Sequence, residues 1–167
     1  MGLIMFEHLS NFNNIVISGP QRSGTRITAK IVAQDTGKFY IDEKDINYHD
    51  YRLLEWYLRL GSVVVQCPGL CHLLHRIDFD STLVIVVRRP IDEIIESEYR
   101  CWNKESEKIE LAKYGYSNGV ISHIKYDFWD RVQKSSLSNA GDINYRELKD
   151  HPLFISDRQN FRWDQTI

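Results

Sequence analysis

The residues best suited to chemistry form one short loop, Gly19-Pro20-Gln21-Arg22-Ser23-Gly24-Thr25-Arg26. Backbone N–H groups of a tight loop rich in Gly, Pro and Ser can converge on an anion. Arg22 adds a full positive charge to the loop. The residue types and their spacing therefore predict a site for a phosphate or a related anionic group.

The segments on either side of this loop predict how it is held. An apolar, β-branched run precedes it at residues 14–18, and Ile27, Ile31 and Val32 recur at helical spacing after it. This order predicts strand, loop and helix. The helix N-terminus would add roughly half a positive charge at the anion. An ordinary glycine turn between a strand and a helix is the simpler alternative.

The two glycines of the loop match the spacing of a Walker A motif, which binds nucleoside triphosphates. That motif continues with Lys and then Ser or Thr, whereas Gly24 is followed by Thr25 and Arg26. Two later apolar runs lead into Gln66 and Arg88, so neither ends in the carboxylate that would hold magnesium. These features argue against ordinary magnesium-dependent phosphoryl transfer.

The segment Arg22-Ser23-Gly24-Thr25-Arg26 resembles the 5′-phosphosulfate loop of the sulfotransferases. The family pattern is a basic residue, Ser or Gly, Gly, Thr, and then Thr or Arg. The resemblance implies 3′-phosphoadenosine 5′-phosphosulfate (PAPS) as donor, a hydroxyl or amine as acceptor, and adenosine 3′,5′-bisphosphate (PAP) as product. It implies that Arg22 replaces the family's usual Lys and stabilises charge on the leaving phosphate, while the whole segment binds the donor.

A second segment resembles the family's 3′-phosphate motif, in which a strand ends in Arg-x-Pro and a Ser of the next helix contacts the 3′-phosphate. Here an apolar run leads into Arg88-Arg89-Pro90, and Ser97 follows in a predicted helix. The family's Ser usually comes eight residues after its Arg, whereas Ser97 is nine after Arg88 and eight after Arg89. Arg88 preserves the Arg-x-Pro order and is preferred, with Arg89 as the alternative.

The acceptor also needs a base to take its proton. Sulfotransferases use a His after the middle strand in one branch and a Glu after the second strand in another. Pro68 stands where that His would fall, which leaves His72 as an offset candidate. Glu43 follows a predicted short strand at residues 38–41 and is ranked first. A solvated acidic loop is the alternative interpretation of Glu43 and its neighbours.

Cysteine and histidine residues cluster in the middle of the chain without forming a metal motif. No second ligand pair lies at zinc-finger spacing from Cys67, Cys71, His72 and His75. Small buried thiols and a His facing the cleft explain the cluster better. We therefore expect no metal, and the sparse set of three cysteines indicates a reducing compartment.

The composition indicates an ordinary globular chain of 167 residues with a formal net charge of -2. We expect residues 1–167 to form a single sulfotransferase-like domain. This net charge gives no sign of the basic surface that binds nucleic acid or an anionic membrane, so neither is an expected partner. The apolar start at residues 1–6 is too short for a signal sequence or a membrane span, and a cytoplasmic location is expected.

The remaining patterns predict alternating strands and helices. They place helices at residues 51–60, 93–113 and 120–132, a buried strand at 63–65 and a late strand from 142. With the resemblance, this predicts a three-layer, P-loop-like α/β fold in which helices flank a central, mostly parallel sheet of about five strands.

The leading functional hypothesis is a small soluble sulfotransferase that acts on a small-molecule or glycan acceptor. Two alternatives stay open, namely a P-loop nucleotide kinase or NTPase-like protein that has lost its lysine, and a catalytically silent nucleotide-binding module. A short chain has little room to cover an acceptor, so a homodimer that completes the site also stays open.

Overall fold

The fold is built on a five-stranded sheet in which every neighbouring pair is parallel. The structure, a computed structural model, describes residues 3–101 and 103–160. The strands are β1 (Asn14–Ser18), β2 (Phe39–Ile41), β3 (Val63–Gln66), β4 (Thr82–Arg88) and β5 (Ala140–Asn144). Their order across the sheet is β2-β3-β1-β4-β5, which confirms the predicted fold class and puts β1 at the centre.

Helices cover both faces of the sheet. They are α1 (Thr25–Thr36), α2 (Tyr51–Leu60), α3 (Ile91–Cys101), α4 (Lys104–Ala112), α5 (Ile121–Phe128), α6 (Lys134–Ser136) and α7 (Pro152–Asn160). A π-helical turn, Trp129–Gln133, joins α5 to α6, and 3₁₀ segments span Glu7–Asn11, Glu43–Ile46, Pro68–Arg76 and Tyr145–Asp150. Within the described ranges, no helix combines the length and apolar character that crossing a bilayer would require.

The core consists of two apolar layers, one on each face of the sheet. Successive strand residues point to opposite faces. Val16 and its neighbours pack with α2, the Pro68–Arg76 segment and α5, whereas Ile15 and Ile17 pack with α1 and α7. Because β1 and β3 are buried on both faces, their sequences are continuous apolar runs rather than alternating ones.

The prediction of one helix over residues 93–113 is wrong, because the chain forms α3 and α4 there. Oδ1 of Asn103 accepts a hydrogen bond from the backbone N–H of Ser106 at 2.9 Å. This is an N-cap, which satisfies a free donor and starts a new helix. A charged, strongly helical composition concealed that boundary in the sequence.

A buried carboxylate ties together segments that are distant in sequence. Asp35, at the end of α1, accepts hydrogen bonds from the N–H groups of Met5 (2.8 Å) and Phe6 (3.1 Å) and lies 3.0 Å from Nε2 of His151. The side chains of His151 and Asp35 are 0% and 2% exposed. Nδ1 of His151 accepts from the N–H of Leu153, so Nε2 carries the hydrogen that Asp35 accepts.

We expect Asp35→Ala to lower the free energy of unfolding by about 2–4 kcal/mol, because three buried donors lose their acceptor together. Urea denaturation followed by circular dichroism measures the change. Asp78→Ala, at an exposed position, is the matched control and should change stability by less than about 0.5 kcal/mol. An Asp35→Ala protein as stable as the wild type would show that these contacts contribute little.

Candidate functional site

The candidate site is a cavity of about 120 Å³ at the carboxyl edge of the parallel sheet. Open α/β sheets bind their ligands at this edge. We call it the loop cavity. Its walls are Gln21, Arg22, Gly24, Thr25, Arg26, Ile27, Glu43, Gln66, Arg89, Tyr145, Phe154 and Asp157.

The loop between β1 and α1 forms one wall and turns sharply. Gly19, Arg22 and Gly24 have φ values of 142°, 69° and 99°, in the left-handed region that few residues other than Gly adopt readily. A Cβ on Gly24 would lie 2.3 Å from the Tyr145 ring, so glycine is required there. α1 begins at Thr25, and its first N–H groups have no acceptor inside the helix. They can therefore bind an anion.

Arg22 connects this loop to α3. Its Nε donates a hydrogen bond to Oγ of Ser97 at 2.8 Å, and its backbone oxygen accepts one from Nη1 of Arg89 at 2.8 Å. The resemblance assigns Arg22 to one phosphate of the donor and Ser97 to the other. The structure brings both side chains into direct contact, with Arg89 beside them.

The two arginines at the end of β4 point to different surroundings. Arg88 pairs with Asp130 and Asp142, and its guanidinium lies 4.8 Å from the centre of the Tyr126 ring. Arg89 lines the loop cavity and lies 4.5 Å from the centre of the Tyr145 ring. The position of Arg88 therefore does not support the prediction that this residue binds the 3′-phosphate. Arg89 lies next to Arg22, and its spacing to Ser97 is the family's.

Glu43 faces the same cavity, as the first residue of the 3₁₀ segment that follows β2. Its side chain is 12% exposed, and Oε1 lies 3.5 Å from Nη2 of Arg26. Arg26 also pairs with Asp42 at 3.3 Å. Burial raises the pKa of the Glu43 carboxyl above its usual range, and Arg26 limits that shift. A carboxylate of raised basicity beside an anion loop is suited to accept a proton.

Gln66 is a site residue that the sequence analysis did not identify. It ends β3 and is buried, its Nε2 donates to Oγ1 of Thr25 at 2.9 Å, and its Oε1 accepts from the N–H of Glu43 at 3.1 Å. One amide therefore fixes the anion loop and the Glu43 backbone relative to each other. The available signal was a polar residue at the carboxyl end of an apolar strand.

His72 is not brought to the loop cavity with Arg22 and Glu43. It lies in the Pro68–Arg76 segment, where its ring meets Tyr114 edge to face at a centroid distance of 6.1 Å. Burial, with a contribution from Lys113, lowers the pKa of His72 to about 4. The side chain is thus uncharged at neutral pH and belongs to the neighbouring cavities.

The cysteines next to His72 are buried. Cys67 and Cys71 are free thiols, and burial raises the pKa of both above the usual range. A thiol held protonated in this way is a poor metal ligand and a poor nucleophile. In the part of the chain that the structure describes, no cluster of His, Cys, Asp and Glu has the arrangement of a metal site.

Glu98 follows Ser97 on α3 and carries a buried Oε1 that finds no hydrogen-bond partner among the described residues. Burial raises the pKa of Glu98 to about 7. Between roughly pH 4.5 and 7 the native state therefore binds more protons than the unfolded state, and stability falls as the pH rises. The loss of stability caused by the buried Glu98 carboxyl is greatest above pH 7, where the group is charged in both the native and the unfolded state.

We expect Glu98→Gln to raise the free energy of unfolding at pH 8 by about 1–2 kcal/mol, a figure reduced because the carboxyl is partly open to solvent. At pH 5 the variant and the wild type should be nearly equal. Urea denaturation at both pH values measures this. Glu96→Gln, at an exposed carboxylate of the same helix, is the control. Equal gains at pH 5 and pH 8 would show that ionisation is not the cause.

The fold is that of a P-loop-like α/β protein, with a glycine-containing loop between its central strand and first helix. The structure is similar to shikimate kinase from Acinetobacter baumannii in complex with shikimate, with a TM-score of 0.57 and 11% sequence identity over 98% of this chain and 100% of that one. At this identity the likeness shows the fold alone. No protein-family model and no curated protein match the sequence, so membership of the sulfotransferase family is not shown.

Proposed function

We propose that the protein is a nucleotide-dependent transferase whose donor places its phosphate-bearing end in the loop cavity. The observation that carries this proposal is the meeting of Arg22, Arg89 and Ser97 beside the N-terminus of α1. Two guanidinium groups, a hydroxyl and free backbone N–H groups match the oxygens of a phosphorylated nucleotide. The fold shared with a kinase supports group transfer as the reaction class.

The donor that these residues favour is 3′-phosphoadenosine 5′-phosphosulfate. Gly24 is followed by Thr25 rather than by lysine, so the loop's own cations are Arg22 and Arg26, of which Arg26 pairs with Asp42 and Glu43. Arg89 and Ser97 add further donors directly beside Arg22, which suits a nucleotide that carries more than one phosphate. The resemblance of the loop to the phosphosulfate motif points to the same donor.

In this reaction the acceptor oxygen forms a bond to sulfur, and the bond from sulfur to the bridging phosphate oxygen breaks. Glu43 takes the acceptor's proton. Arg22 and the N–H groups at the start of α1 stabilise the charge that develops on the leaving phosphate. Arg22 acts electrostatically, because a guanidinium does not readily give up a proton. The side-chain amide of Gln66 fixes the positions of Glu43 and Thr25 relative to each other.

A second candidate is phosphoryl transfer from ATP by a kinase-like protein without the loop lysine. The likeness to shikimate kinase along the whole chain favours it. The carboxylates of Glu43 and Asp157, which both line the loop cavity, are ligands of the kind that magnesium would need. A catalytically silent module with the same nucleotide site is the third hypothesis.

Calorimetry with the full chain distinguishes the donors. We expect adenosine 3′,5′-bisphosphate to bind at least about 10-fold more tightly than adenosine 5′-monophosphate, since one charge-assisted contact set is worth more than about 1.4 kcal/mol. Tight binding of ATP with magnesium, and none of the bisphosphate, would overturn the sulfuryl donor and support the kinase. Transfer from labelled donor to an acceptor panel then tests catalysis. Binding without transfer would indicate the silent module.

A further inference from the structure

Two larger cavities are linked to the loop cavity in series through shared lining residues. The nearer, of about 430 Å³, shares Gln21 with the loop cavity. The farther, of about 570 Å³, shares His72, Leu73 and Lys113 with the nearer one. We call these two cavities the side groove. Its combined size suits a molecule of one or two rings that reaches the anion loop at Gln21.

Aromatic rings form one wall of the farther cavity. The centroids of Tyr114 and Phe128 are 5.6 Å apart at 85°, and those of Phe128 and His75 are 5.6 Å apart at 87°. His72 meets Tyr114 in a similar edge-to-face contact. Rings locked in this way present a rigid surface with little entropy to lose, which suits a planar aromatic ligand.

The charges on the farther cavity favour an anion. Its lining includes Arg76, Lys113 and Arg131 against one carboxylate, Asp127. Asp127 pairs with Arg131 at 3.3 Å, and Lys113 pairs with Glu110 of the nearer cavity at 3.0 Å. Arg76 is exposed and lines the same cavity as the aromatic rings, so an anionic substituent could make a charge-assisted contact with it.

We propose that the side groove binds the acceptor, and that the acceptor is an aromatic hydroxyl compound carrying an anionic substituent. This inference rests on the proposed function and deepens it. The hydroxyl lies toward Gln21, the ring packs against Tyr114 and Phe128, and the anionic group lies near Arg76. The acceptor oxygen then forms the new bond to sulfur while the bond from sulfur to the bridging phosphate oxygen breaks and the nucleotide phosphate leaves, and the acceptor's proton passes to Glu43.

The test uses 6-hydroxy-2-naphthoate, a fluorescent compound of this class, titrated into the full chain with and without adenosine 3′,5′-bisphosphate. We expect Phe128→Leu and Arg76→Gln each to weaken probe binding by about 5-fold or more. Phe128→Tyr keeps the ring and should retain binding. The matched controls, Phe39→Leu and Arg59→Gln, lie at exposed positions on β2 and α2 and should bind as the wild type does.

A companion titration with 2-naphthol isolates the role of charge. It lacks the carboxylate, so it should bind the wild type more weakly than the probe does and should not distinguish the wild type from Arg76→Gln. Unchanged probe affinity in Phe128→Leu and Arg76→Gln would overturn the inference. So would a wild-type protein that binds the bisphosphate but not the probe. If the wild type does not bind the bisphosphate, the proposed function is overturned instead. Probe binding measured without nucleotide tests the side groove separately.

Discussion

Arg22→Ala is expected to lower kcat/KM for sulfuryl transfer by about 100-fold or more. Removing one preorganised donor at a developing negative charge typically costs about 2.7–4 kcal/mol. The variant loses that donor and also the contact that joins the anion loop to Ser97. Binding of adenosine 3′,5′-bisphosphate should weaken as well, by about 10-fold, since a charge-assisted contact to the ground state is also lost.

The matched variant Arg22→Lys keeps the charge but replaces a planar fork with a point charge. It should recover part of the loss in kcat/KM. Arg59→Gln, at an exposed position on α2, controls for a general effect of removing a cation. Steady-state kinetics and calorimetry on the same preparations separate catalysis from binding. Wild-type kinetics in Arg22→Ala would remove Arg22 from the site.

Glu43→Gln is expected to abolish turnover, with kcat reduced by about 10²–10⁴-fold, while donor binding stays intact. The amide cannot take a proton, yet it has the shape of the carboxyl and leaves the backbone bond to Gln66 in place. In the wild type, kcat should rise with pH through a pKa above the usual range of a glutamate, because burial raises the pKa of this carboxyl. The variant should lose that rise.

Asp157 provides the sharpest comparison for Glu43. It lines the same cavity, and burial raises its pKa as well. Asp157→Asn should reduce kcat by less than about 5-fold, because the cavity keeps its base and loses only a nearby charge. The reverse result, with full activity in Glu43→Gln and none in Asp157→Asn, would make Asp157 the base.

Much of the fold could be predicted from the sequence, because the features that determine it are local. The β-branched runs of β1, β3 and β4 predict buried parallel strands, and the spacing of Leu54 and Leu58 predicts α2. The loop from Gly19 to Thr25 is likewise predicted by residues adjacent in sequence. The break between α3 and α4 was missed, since a single Asn cap is a weak signal within a helical composition.

From the sequence by itself one can predict that a glycine-containing loop with its own arginine precedes the first helix, at the carboxyl edge of a parallel sheet. Only the tertiary structure decided which side chains share that edge. Arg88 and Arg89 are neighbours in sequence, but they lie in different surroundings. Arg88 pairs with Asp130 and Asp142, whereas Arg89 lines the loop cavity. Such pairings depend on partners more than forty residues away. No local pattern encodes them.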